Sequence, residues 1–208
     1  MSSPLRLALA AAGALALSAT GAAALVAPAP GTPAPAFVAS DAAGKPVSLA
    51  AFHGRTVILE WTNEGCPYVR HVYDSGVMQA LQRRAEVKGF VWLTVISSAP
   101  GKQGYLTPGE VAAWKTRTGA APADVVLDPK GVVGRAYGAT ATPTVFIIDP
   151  KGLILYAGAI DDHPSAQPQD AMVAKNYLAA AMDDLGAGRP IAVSSSRPYG
   201  CSVKYADE

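Results

Sequence analysis

Charge of one sign is missing from this chain. Seventeen basic residues stand against 16 acidic ones, and leaving out Arg6 near the start makes the balance 16 to 16. No run or stripe of Lys and Arg occurs, so the phosphate-neutralising surface that nucleic acid demands is absent and that class of partner is excluded. Cysteine is scarce too: only Cys66 and Cys201. The histidines are His53, His71 and His163, and no Cys-x-x-Cys or His-x-x-His spacing joins any of them to a cysteine. A copper site built from a cysteine and one of these histidines therefore has no spacing behind it, and neither metal nor cofactor is expected. Beyond the N-terminal segment no stretch is long and apolar enough to span a bilayer. No internal repeat occurs.

What is present begins with a charged start at Arg6, an apolar run Leu7 to Leu17, and the small residues Ala22-Ala23-Ala24. That is the pattern of a secretory signal, read here as residues 1–24, with export to the periplasm or outside a bacterial cell. The apolar core is shorter than the ~20 residues of a spanning helix, so membrane attachment is expected only if the segment stays uncleaved. Residues 25–35 alternate Pro and Ala and are expected to form an extended, mobile linker. Residues 36–190 are long enough for one domain with its own core, and residues 191–208 form a tail that carries Cys201.

Apolar periodicity within the domain gives an order of elements. Strands are expected at Arg55 to Trp61, Phe90 to Ser97 and Asp124 to Leu127. Thr144 to Ile148 and Leu153 to Ala157 are joined by the hairpin turn Asp149-Pro150-Lys151-Gly152. Helices are expected from Cys66 to about Lys88, interrupted at Gly76, then from a capping-box start at Thr107-Pro108-Gly109-Glu110, over Val132 to Tyr137, and from Ala171 to about Leu185. Asp161 to Asp170 reads as a polar, solvated loop. Alternating elements make the first half of the sheet parallel, and the hairpin adds an antiparallel edge.

Cys66 follows a strand and loop and opens a helix. First-turn N–H groups and the helix dipole favour an anion at such a place, and the thiolate is the attacking species in disulfide exchange. The competing reading is a buried structural cysteine. Thr142-Pro143, ahead of the hairpin strand, is the second local signal; alone it also fits an ordinary strand-entry proline.

The segment Glu60-Trp61-Thr62-Asn63-Glu64-Gly65-Cys66-Pro67-Tyr68-Val69-Arg70-His71 is accompanied by Asp128-Pro129-Lys130-Gly131, Tyr137-Gly138-Ala139, Thr142-Pro143-Thr144 and Tyr156-Ala157-Gly158-Ala159-Ile160-Asp161-Asp162. Together these resemble the redoxin (alkyl hydroperoxide reductase/thiol-specific antioxidant, peroxiredoxin-like) family of the thioredoxin superfamily. The resemblance covers about residues 36–187. It implies an α/β, thioredoxin-like fold with a mixed central sheet flanked by helices. It also implies a cis Thr142-Pro143 peptide that lies against Cys66 and presents backbone to a partner. Catalytic candidates are thus Cys66, Cys201, Thr142 and Pro143.

Departures from the family pattern matter. Val69 stands where thioredoxins carry their second cysteine, and Asn63 where peroxiredoxins carry Thr or Ser, with Thr62, Arg70 and Arg135 as candidate substitutes. Cys201, in Arg197-Pro198-Tyr199-Gly200-Cys201, is expected either to resolve an intermediate on Cys66 or to clamp the tail over it. Glu60 is expected at the surface or hydrogen-bonded, and His71 off the face of Cys66. The leading expectation is an exported thiol–disulfide oxidoreductase acting on protein or small-molecule thiols and disulfides. A thiol-dependent peroxidase acting on peroxide and a non-catalytic binding module stapled by a Cys66–Cys201 disulfide are the alternatives.

Overall fold

A computed structural model describes residues 27–207; the expected signal segment, residues 1–24, lies outside the described residues. The centre of the sheet is β3 (Val57–Trp61), whose five residues are all buried. Its alternation divides the core. Val57, Leu59 and Trp61 join one apolar cluster, and Ile58 joins the other on the opposite face. Both faces are covered, so the strand is apolar at every position but Glu60.

The remaining strands are β1 (Val38–Ser40), β2 (Pro46–Ser48), β4 (Val91–Ile96), β5 (Asp124–Leu127), β7 (Thr144–Ile148) and β8 (Ile154–Gly158). They order as β2-β1-β5-β4-β3-β7-β8. The pairs β3–β4 and β4–β5 are parallel, while β7 runs antiparallel to both β3 and β8. This is the thioredoxin-like arrangement the sequence implied. A separate ribbon pairs β6 (Ala141–Thr142) with β9 (Cys201–Ser202), the second strand coming from the tail.

The long apolar pattern after Cys66 becomes two helices, α1 (Pro67–Asp74) and α2 (Val77–Val87). Gly76 separates them at φ 79°, a left-handed conformation that favours glycine. Helix α3 (Pro108–Thr118) starts with the expected capping box between Thr107 and Glu110. A short α4 (Val132–Ala136) follows β5. Among the described residues no helix is long and apolar enough to cross a membrane.

Two expectations need correction. The last helix does not start at Ala171: a single turn, α5 (Pro168–Ala171), precedes α6 (Tyr177–Gly186). Asn176 makes the difference, because its side chain accepts from the Ala179 N–H at 2.7 Å and caps α6. Residues 31–34 are not a loose linker. Gly31 and Ala34 donate to the carbonyls of Ile154 and Gly152, and Ile154 donates to Thr32, so this segment lies along the outer edge of β8. The tail is structured as well, with Ala157 donating to Ser194 and Ser196 donating to Ala157 farther along the same edge. Backbone pairing of this kind leaves no side-chain periodicity to read.

Replacing the α6 cap, Asn176→Ala, is expected to cost about 1 kcal/mol. Urea unfolding should show a lower midpoint with an unchanged slope; an unchanged midpoint would remove Asn176 as the reason α6 begins where it does.

Candidate functional site

The loop from β3 to α1 is built around Asn63, which is buried. Its carbonyl oxygen accepts from Gly65 N–H at 2.9 Å, and its amide donates to the Gln103 carbonyl at 3.2 Å. Gln103 in turn donates to the Gly65 carbonyl at 3.0 Å. The loop is therefore pinned from both sides where it delivers Cys66, and Gln103 is a contributor that no local sequence signal identifies. Cys66 is the N-cap residue of α1, and its carbonyl accepts from Val69 and Arg70.

Cys66 is wholly buried, and its thiol donates to the Thr142 carbonyl at 3.3 Å. The Thr142–Pro143 peptide is cis. Across the β6–β9 ribbon Cys201 is registered opposite Thr142, and the Thr142 hydroxyl donates to the Cys201 carbonyl at 3.4 Å. The structure thus brings Cys66, Thr142, Pro143 and Cys201 together. Both cysteines are free thiols here. Burial pushes the half-buried Cys201 thiol up to about 11, and the neighbouring Cys66 adds to the rise, while Lys204 and the Tyr68 backbone act in the other direction.

The tail crosses the site as a strap held on both sides of Cys201. Before it, Tyr199 donates its hydroxyl to Asp161, and the Tyr199 ring packs edge-on against Tyr68. After it, Val203 N–H donates to the Thr140 carbonyl at 3.0 Å and the Tyr205 hydroxyl to the Ala139 carbonyl at 2.6 Å. Ala99 N–H donates to Lys204, and Lys102 pairs with Asp207 at 2.8 Å. Gly200 sits at φ 119° so close to Thr142 that a Cβ would overlap its carbonyl oxygen. Only glycine lets the strap lie this near the thiols.

Asp161 corrects another expectation. It is not in a solvated turn but buried, because Tyr199 and the His163 N–H cover one of its oxygens. His71 is buried in α1, and its Nδ1 donates to the Gln167 carbonyl at 2.5 Å, bracing α1 against the start of α5. The candidate arginines are engaged away from the thiols. Arg70 is 67% exposed and pairs with Asp74, while Arg135 lies 4.6 Å over the Tyr205 ring and donates to the Ala206 carbonyl. Thr62 is buried beside Asn63. Among the described residues no group of three or more His, Cys, Asp or Glu side chains is placed to hold a metal ion.

Glu60 lies on the Ile58 face of β3, wholly buried. It accepts from Tyr73 at 2.9 Å, Trp92 at 2.9 Å and Thr94 at 3.0 Å, and it is the hydrogen-bonded carboxylate the sequence allowed, not a surface one. Burial raises its carboxyl above the ordinary value, outweighing the donors from Trp92, Tyr73, Thr94 and Gln82 that lower it.

Comparison with known proteins adds the following. The AhpC/TSA family profile matches residues 30–157. No curated protein matches the chain. A hypothetical protein from Sinorhizobium meliloti 1021 is similar in structure at 23% identity and a TM-score of 0.72, covering 86% of this chain and 96% of its own. An uncharacterized conserved protein from Geobacillus kaustophilus matches at 24% identity and a TM-score of 0.73, covering 86% and 93%. A protein from Chlorobium tepidum, provisionally described as a thiol:disulfide interchange protein DsbE, matches at 26% identity and a TM-score of 0.53, covering 71% and 93%.

Two outcomes follow from the geometry. Gly200→Ala should weaken the closed strap; about 1.4 kcal/mol would raise its open fraction about tenfold, and native alkylation of Cys66, located by peptide mass, should accelerate accordingly. An unchanged rate would mean the strap does not shield Cys66. Because the folded-state carboxyl of Glu60 is raised, the folded protein holds this proton more tightly than the unfolded chain. Stability from Glu60 is then greatest below its ordinary value of 4.5 and falls as pH rises through the raised value. Urea midpoints should show the difference between wild type and Glu60→Gln shifting against wild type over that window; a pH-independent difference would refute the raised value.

Proposed function

The chain belongs to the AhpC/TSA family, and we propose that it is an exported thiol–disulfide oxidoreductase working through the Cys66–Cys201 couple. The observation that carries this reading is the placement of two free thiol residues on one cis peptide: the Thr142 carbonyl accepts from the Cys66 thiol, and Cys201 pairs with Thr142 across the β6–β9 ribbon. Cys66 is the nucleophile of the couple. As a thiolate it attacks the Cys201 sulfur of a Cys201 mixed disulfide, and the partner's sulfur leaves as a thiolate that takes up a proton. When the Cys66–Cys201 disulfide closes, two thiols are oxidised and one external disulfide is reduced to two thiols.

The similarity to the Chlorobium tepidum protein supports disulfide chemistry, with protein or small-molecule thiols and disulfides as the partner class. The N-terminal segment is proposed to export the chain to an oxidising compartment, where such a couple meets substrate. The domain spans residues 36–190, and the tail contributes the second sulfur.

The test is a redox titration of wild-type protein by mass-resolved alkylation across a glutathione series. A Cys66–Cys201 disulfide that titrates between about −120 and −270 mV is expected, and Cys66→Ser should abolish catalytic turnover because the couple can no longer close. A disulfide that persists below about −300 mV would make the pair a structural staple and end the enzymatic reading. Oxidation that runs faster with hydrogen peroxide than with glutathione disulfide would transfer the assignment to a thiol peroxidase.

A further inference from the structure

We infer that Cys201, not Cys66, is the sulfur through which external thiols and disulfides enter the couple, and that the substrates it admits are low-molecular-weight ones. The inference rests on the redox reading above and assigns its order of events. Cys66 is the partner-facing thiol expected from the sequence, yet here it is wholly buried while Cys201 is half-exposed. The backbone of β6, on which an extended protein partner would dock beside Pro143, is already paired with Cys201 and Ser202 of the same chain. Gly200 presses against the Thr142 carbonyl, and Tyr199, Val203 and Tyr205 fasten the strap on either side. A peptide competing for β6 must displace all of these contacts, whereas a small disulfide needs only to reach the Cys201 sulfur.

Exchange through Cys201 balances in both directions. In the reduced protein, exchange with a small disulfide RSSR leaves RS on Cys201 and releases RSH. The Cys66 thiolate then attacks the Cys201 sulfur, the Cys201–SR bond breaks, and RS⁻ departs and takes up a proton. One RSSR has been reduced to two RSH, and the two protein thiols have become a disulfide. In reverse, RS⁻ attacks the Cys201 sulfur and expels Cys66. Attack on the Cys66 sulfur would need a path to a wholly buried residue. Access therefore selects Cys201, while the raised value of its thiol lowers the thiolate fraction with which it attacks. The order is the inverse of one in which the cysteine at the helix start meets the partner and a second cysteine resolves.

The experiment uses the full mature chain and glutathione disulfide as probe. Single variants Cys66→Ser and Cys201→Ser are incubated with it, quenched with acid, and the glutathione adduct is located and timed by peptide mass. Adduct on Cys201 in Cys66→Ser should form at least about tenfold faster than adduct on Cys66 in Cys201→Ser, since rate follows access. Equal or faster modification of Cys66 would overturn the inference. Wild-type protein oxidised to the disulfide and quenched during attack by reduced glutathione gives a second readout that removes neither sulfur: the trapped adduct is expected on Cys201, and an adduct on Cys66 would overturn the order. Faster oxidation by a disulfide-bonded protein than by glutathione disulfide would overturn the substrate class. If wild-type protein forms no Cys66–Cys201 disulfide at all, the redox reading itself falls; if it forms but the adduct lies on Cys66, only the order of entry does.

Discussion

The pairing of two short strands, Ala141–Thr142 with Cys201–Ser202, holds Cys201 opposite Thr142, the residue whose carbonyl receives the Cys66 thiol. Each strand is only two residues long, too short to hold itself together, so the ribbon depends on what lies beneath and beyond it. Beneath it, the Thr142 carbonyl receives the Cys66 thiol. Beyond it, Tyr199 and Tyr205 fasten the tail to Asp161 and Ala139. Loss of the ribbon would return Cys201 to the end of an untethered tail, where loop closure would have to bring it back across a long chain separation.

The same face of the sheet holds a second polar feature, the Glu60 carboxylate amid Tyr73, Trp92 and Thr94. Burying a carboxyl is costly unless its oxygens are satisfied, and three donors meet this one. Tyr73 belongs to α1, the helix that Cys66 caps, so the acid ties β3 to the element that positions the thiol. The Tyr73 hydroxyl is itself held well above its ordinary value, first by burial and then by the Glu60 charge, and stays a donor.

How far the sequence could be read follows from where each signal lives. Elements with side-chain periodicity or local caps were legible: β3, β4, the hairpin, and the Thr107–Glu110 capping box. Cys66 at a strand–helix junction and Thr142-Pro143 before the hairpin could be named because each has a local context. Contacts made across the chain could not. Asn63 reads as an ordinary loop residue until Gln103 packs against it, and Asp161 as solvated until Tyr199 covers it. The Ala171 boundary failed because the apolar pattern runs straight through the Asn176 cap, leaving Met172 73% and Val173 81% exposed. The burial of Cys66 was equally invisible, since Thr142, which accepts from its thiol, lies 76 positions along the chain and the tail lies farther still.

The outer edge of β8 is bordered near its start by residues 31–34 and near its end by Ser194 to Ser196, one segment from each end of the described chain. An exposed strand edge is a template for pairing between molecules, and natural sheets blunt such edges. Here both extremities of the chain act as guards against self-association. The fold therefore shields this part of its edge only once residues 194–196 have been laid down, which makes a chain truncated before them more prone to aggregate than one that carries them.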